Sequence, residues 1–177
     1  MDNSVVIRPG TPHDVPAIVD FIRELADYEK ALEKAVATIE QLNAALFGPQ
    51  PALYAHMACD DVSGEPVGFA IWFLNFSTWR GVHGIYLEDL YVRPAARGGG
   101  HGRALLAELA RIAVERGYWG VQWWVLDRTE LTGSRAFYRR IGGQELREWV
   151  PWLLDGEALQ SLAPSPDGPT ATSLDAV

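Results

Sequence analysis

Four glycines within five residues, Gly98, Gly99, Gly100 and Gly102, stand between two stretches that predict opposite backbone states. Before them, GIYLEDLYVR (84–93) is apolar and aromatic enough to predict a strand. After them, HGRALLAELARIAVER (101–116) predicts an amphipathic helix ended by Gly117. A glycine inside a regular element costs roughly 0.5–1 kcal/mol against alanine. A turn that only joined a strand to a helix would need fewer of them. A helix N-terminus exposes unpaired N–H groups and partial positive charge, and residues without Cβ let an anion reach them. The loop, bounded by Arg97 and Arg103, is therefore expected to hold an anion such as a phosphate.

Two familiar phosphate loops are excluded by identity. A Walker A loop ends in Lys and Ser or Thr, whereas this one runs His101-Gly102-Arg103-Ala104. A dinucleotide fingerprint starting at Gly98 or Gly100 needs glycine at positions held by Arg103 or Leu105. What remains is Arg97-x-x-Gly100-x-Gly102 directly after a strand containing LEDLYV.

The rest of the chain sets this unit in a larger pattern. VVIR (5–8) predicts a strand, and Thr11 with Pro12 opens a helix over 12–28 whose Val15, Ile18, Val19, Ile22 and Leu25 share one face. Thr38 and Gln41 form a capping box for a second helix reaching about Phe47. Strands are expected at 53–58, at 67–76 (central, apolar and aromatic) and at 121–126, and a helix at 133–141. Residues 144–154 read as a last strand or hairpin. This order implies an α/β fold with a mixed sheet and helices on both faces. One domain over residues 1–162 is expected, with a disordered Pro-, Ser- and Thr-rich tail at 163–177.

The net charge of −8 disfavours non-specific nucleic-acid binding. A single cysteine, Cys59, excludes an intrachain disulfide and suits a reducing compartment. The chain carries neither a signal-peptide pattern nor an apolar run of the ~20 residues needed to span a bilayer. A cytoplasmic protein without a membrane partner is expected. His56 and Cys59 are too isolated to suggest a metal site, so no metal is expected.

The glycine loop, together with IRELADYEK (22–30), FSTWRG (76–81), IYLEDLYV (85–92), VLD (125–127) and FYRRIGG (137–143), resembles the GNAT superfamily of acyl-CoA-dependent N-acyltransferases. Within it, the chain is similar to the spermidine/spermine acetyltransferases and more closely to their thialysine-acetylating relatives. The likeness covers roughly residues 5–160. It implies the GNAT fold, a mostly antiparallel mixed sheet splayed where acetyl-CoA binds. Acetyl-CoA would be the acetyl donor. Its pyrophosphate would rest on the backbone of Gly98, Gly99, Gly100, His101, Gly102 and Arg103, beside Arg97. Its pantetheine arm would pair with Leu90, Tyr91 and Val92, and a backbone N–H near Leu90 would stabilise the oxyanion.

The acceptor implied is a small primary amine: a diamine or polyamine, or a thialysine- or lysine-like amino acid. An alkylamine arrives protonated, with a pKa near ~10.4, so a base is needed. The resemblance assigns Glu88 as base, acting through water, and Asp89 to steer charge. Strand alternation alone would send these neighbours to opposite faces. Glu29 and Glu33 are expected at the far end of a cationic substrate, and Trp79 as a wall of its pocket. Tyr138 matches the family's general acid for the leaving thiolate. Relatives carry Trp-Asn where this chain has Arg128-Thr129, so Thr129 is expected to contact CoA in place of the asparagine. Ser77 stands where polyamine enzymes have an acid, which counts against spermidine itself. Direct transfer in a ternary complex and a homodimer are expected. The rival readings are a protein-lysine or antibiotic acetyltransferase, and a non-catalytic CoA-binding regulator.

Overall fold

A computed structural model describes residues 5–127 and 132–164. The chain divides into two compact units, Met1–Ile141 and Gly142–Val177. The first holds five strands, β1 (Val6–Pro9), β2 (Tyr54–Cys59), β3 (Pro66–Ser77), β4 (Val82–Val92) and β5 (Val121–Gln122). Its helices are α1 (Val15–Tyr28), α2 (Ile39–Phe47), α3 (His101–Glu115) and α4 (Thr132–Arg140). In the second unit the described residues form α5 (Gly156–Leu162).

The strands lie in the order β1-β2-β3-β4-β5, antiparallel except for the last pair, which is parallel. Alternating side chains give each strand two apolar faces, and each face finds a helix layer. On one face Phe21 and Ile18 of α1 and Leu42 and Leu46 of α2 pack on Met57, Phe69 and Ile71. On the other, Leu105 and Leu109 of α3 pack on Ala70, Trp72, Ile85 and Leu87. The expected α/β fold with helices on both faces is what the chain adopts. The start of α1 is fixed by Asp14, which accepts from Thr11 N and its hydroxyl, both at 2.8 Å, and from both Arg8 Nη atoms at 2.7 Å. The capping box opens α2 as expected: Gln41 N donates to Thr38 Oγ1 at 3.2 Å, and Thr38 N to Gln41 Oε1 at 2.9 Å.

Two expectations differ from the fold. Of the strand expected at 121–126 only Val121–Gln122 pairs, because β5 leaves β4 after Tyr86. Residues 144–154 hold no strand. Their apolar alternation reads as a strand, but Pro151 removes a ladder donor within it and periodicity cannot supply a partner edge.

Gly84 shows how tightly the β3–β4 end is built. A Cβ there would lie 2.3 Å from Trp119 Nε1 and 2.6 Å from Asn75 Oδ1. Gly84→Ala is expected to destabilise by about 1–3 kcal/mol, the usual range for overpacking. Urea unfolding at constant m-value checks this.

Candidate active site

The local chemistry of β4 creates the site. β3 and β4 pair with Ile71 opposite Asp89 and Trp72 opposite Leu87, so Glu88 is an extra residue, a β-bulge. The bulge breaks the alternation that would have sent Glu88 and Asp89 to opposite faces. Both line one cavity instead. β4 and β5 pair only at Ile85–Val121 and Tyr86–Gln122, and beyond that point they part. The parted segments, Leu87–Val92 and Trp123–Leu126, form the walls of a cavity of about 520 Å³.

The glycine loop closes one end. Gly98 and Gly100 have φ of 84° and 88°, a left-handed backbone that side chains rarely adopt, and Gly100 caps α3. The expected strand–loop–helix unit is thus present, with the first turn of α3 lining the cavity through His101, Gly102 and Arg103. His101 is buried, its Nδ1 3.1 Å from Ala96 O, which ties the helix start to the turn before it. Arg97 Nε donates to Val92 O at 2.9 Å. Its guanidinium lies 4.9 Å from the Tyr28 ring and 5.7 Å from that of Tyr91, so two aromatic faces hold it at the cavity edge. With Arg97, Arg103 and Arg140 in the lining, cations and backbone dipole meet there in an otherwise acidic chain. A polyphosphate fits these residues: the left-handed glycines remove Cβ atoms beside the N-terminus of a 15-residue helix.

The acids gather with Tyr138. Asp89 is half-buried, and burial first, then the charges of Glu88 and Glu29, push its carboxyl up to about 6. Burial and the Glu29 charge push the Tyr138 phenol up to about 12. Glu29 thus acts electrostatically on both groups, so the three converge although they come from the C-terminal cap of α1, from β4 and from α4. Tyr138 is held by rings: Trp123 at 4.9 Å and Phe137 at 5.2 Å between centroids. Phe137 in turn lies against the open side of Gly102, 3.5 Å from where its Cβ would be, which joins α4 to the glycine loop.

Of the residues singled out from sequence, Glu29, Glu88, Asp89 and Tyr138 line the cavity. So do Leu90, Tyr91 and Val92 of β4 and, from the loop and α3, Arg97, Gly98, Gly100, His101, Gly102 and Arg103. Gly99 lines a neighbouring cavity beside Asp60 and Arg93 instead. Glu33 is exposed on the short turn Leu32–Lys34, and Trp79 is 87% exposed near the β3–β4 hairpin tip; neither lines the cavity. Thr129 lies outside the described residues. Trp124 and Arg140 line the cavity and were not singled out as site residues. The WW pair was the signal for the first, and FYRR for the second. Cys59 is buried in the core beneath α1, away from the cavity. Among the described residues no group of three or more His, Cys, Asp or Glu is placed to hold a metal ion, and no helix is long and apolar enough to cross a membrane.

Residues 19–143 match the family model "Acetyltransferase (GNAT) family". A thialysine N-epsilon-acetyltransferase of Bos taurus is 35% identical over 90% of this chain and 97% of its own length. An L-ornithine N5-acetyltransferase of Arabidopsis thaliana is 27% identical, over 88% of this chain and 86% of its own. Among solved structures, an integron cassette protein from V. cholerae superposes with a TM-score of 0.74 at 27% identity, covering 92% of this chain and 99% of that one.

Proposed function

Because the chain belongs to the GNAT family and is an acetyltransferase, we propose that it moves an acetyl group from acetyl-CoA to a primary amine of a small substrate, a diamine or a thialysine- or lysine-like amino acid. The observation that carries this reading is the meeting of the glycine loop, the Glu88–Asp89 pair and Tyr138 in one cavity. The relatives named for thialysine and ornithine point to amines at the end of a short chain.

Acetyl-CoA supplies an activated thioester; the chain's residues do the rest. Backbone N–H groups of Gly98–Arg103, with Arg97 and Arg103, hold its pyrophosphate. The edge of Leu90–Val92 that β5 has left takes the pantetheine arm. Glu29 attracts the cationic amine. The Glu88–Asp89 pair takes its proton, Glu88 through water. Asp89, poised near 6, lets the pair hold that proton close to neutrality. Tyr138 remains a neutral phenol and donates to the leaving sulfur. The lone cysteine, Cys59, is buried away from the cavity, in keeping with direct transfer in a ternary complex.

We also propose that the protein works in the cytoplasm, in keeping with its lone cysteine, and as a homodimer. The second unit exposes Trp149, Val150, Trp152 and Leu153, an apolar run of the kind that marks subunit contacts. Light scattering at the dimer mass is the expected result, and a monomer mass disposes of the dimer.

The test of substrate is mass-spectrometric product identification with acetyl-CoA and thialysine, lysine, ornithine, putrescine, cadaverine, spermidine, an aminoglycoside and a lysine peptide. An acetylated small amine is expected. Acetylation of the peptide or aminoglycoside alone overturns the substrate class.

A further inference from the structure

We propose that Trp124, braced by Tyr86, is the specificity-determining wall of the acceptor end of the cavity: it takes the carbon chain of an elongated amine along its indole face. The proposal rests on the acetyl-transfer reading above. Its starting point is an asymmetry between two adjacent tryptophans. Trp123 packs into the core against Tyr138, at 4.9 Å between ring centroids. Both line the cavity, but Trp124 is 66% exposed and lacks that core packing. A large aromatic face left open inside a binding cavity is a contact surface for whatever enters.

The indole is not loose. The Tyr86 ring stands edge-on to it, 5.9 Å away at 87°. Behind Tyr86 lies Phe73, its cross-strand partner, at 4.9 Å. Three supported rings hold one orientation, which a surface that discriminates by contact requires. The wall is also next to the acids. β4 carries Tyr86, Glu88 and Asp89 in succession, and the charge of Glu88 acts on the Tyr86 hydroxyl. The carboxylates and the aromatic wall therefore read different parts of one molecule. Glu29, Glu88 and Asp89 attract any ammonium group whatever its chain length. An apolar face distinguishes a short chain from a long one through the area each methylene removes from water.

The experiment compares kcat/KM for ethylamine, putrescine and cadaverine in the wild type, Trp124→Ala and Trp124→Phe. Because all three amines are tested on the same preparation, any fraction of misfolded variant cancels in the ratio. The cadaverine-to-ethylamine ratio is expected to fall about tenfold in Trp124→Ala, a part of what an apolar contact with the three additional carbons of cadaverine can supply. Most of the change should enter through KM, and Trp124→Phe should restore the greater part of the ratio. A ratio that does not move in Trp124→Ala while the wild type acetylates these amines overturns the wall alone. So does a uniform loss for every amine accompanied by a change of mass in light scattering, which assigns the indole to a subunit seam. A wild type that acetylates no amine at all overturns the acetyl-transfer reading and the wall with it.

Discussion

Tyr138→Phe is expected to lower kcat by about 10²–10³-fold while leaving the fold and the affinity for acetyl-CoA close to those of the wild type. The size follows from what a positioned proton donor contributes, 10²–10⁴-fold. The surroundings of the phenol keep it neutral. Burial and the Glu29 charge push it up to about 12, so at working pH it always carries its proton. The leaving thiol, with an ordinary pKa of about 8.5, is the stronger acid of the two, so the phenol serves the departing sulfur as a hydrogen-bond donor, and any proton it passes on is regained from the acetylated nitrogen as the C–S bond breaks. Its position is set by packing, since Trp123 and Phe137 hold the ring from two sides. Phenylalanine preserves those contacts, so loss of rate isolates the hydroxyl. Thiol release under saturating substrates, with thermal unfolding beside it, checks both halves. A variant with wild-type kcat would make Tyr138 a packing residue.

Asp89→Asn is expected to cut kcat/KM by about 10²-fold and at the same time to stabilise the protein. The two effects share one cause. In the folded state burial and two neighbouring carboxylates hold the Asp89 carboxyl at about 6, above its ordinary value of 3.8. The folded chain therefore binds this proton more tightly than the unfolded chain does. Ionising Asp89 as pH rises through that window costs the fold on the order of 2 kcal/mol. The penalty is absent below about pH 4, grows between 4 and 6, and is complete above 6. Asparagine escapes it, so the gain in stability should be present at pH 7 and vanish at pH 4. Activity runs the other way, because only the ionised pair can take the amine's proton. The wild-type kcat/KM should fall below about pH 6, and the variant should lose that limb. Unfolding curves at pH 4 and pH 7, set against the pH profile of kcat/KM, test the claim as a pair.

Much of this arrangement was legible in residue patterns. The helical spacing from Val15 to Leu25 and the Thr38–Gln41 box are local signals, and local hydrogen bonding and burial decide them. The glycine loop was legible for the same reason, since left-handed backbone and an exposed helix start are set within a few residues. What could not be read depends on partners distant in sequence. The bulge at Glu88 exists only in the register of β4 against β3, so alternation within β4 separated two acids that the fold unites. The early end of β5 lies where it parts from β4, which runs on to Val92, and residues 144–154 show the same weakness of pattern without partner. Which tryptophan of the 123–124 pair packs on the core and which stays exposed depends in the same way on distant partners. Glu33 and Trp79 lie on a turn and near a hairpin tip that do not line the cavity.

The most direct measurement is the rate of free-thiol release from acetyl-CoA with and without thialysine, lysine, ornithine, putrescine and cadaverine. A low rate alone and a large, saturable increase on adding one of the amines is the expected result. Tight binding of acetyl-CoA with no amine-dependent release across the set would contradict it, and would leave the cavity as a CoA-binding site without transfer chemistry.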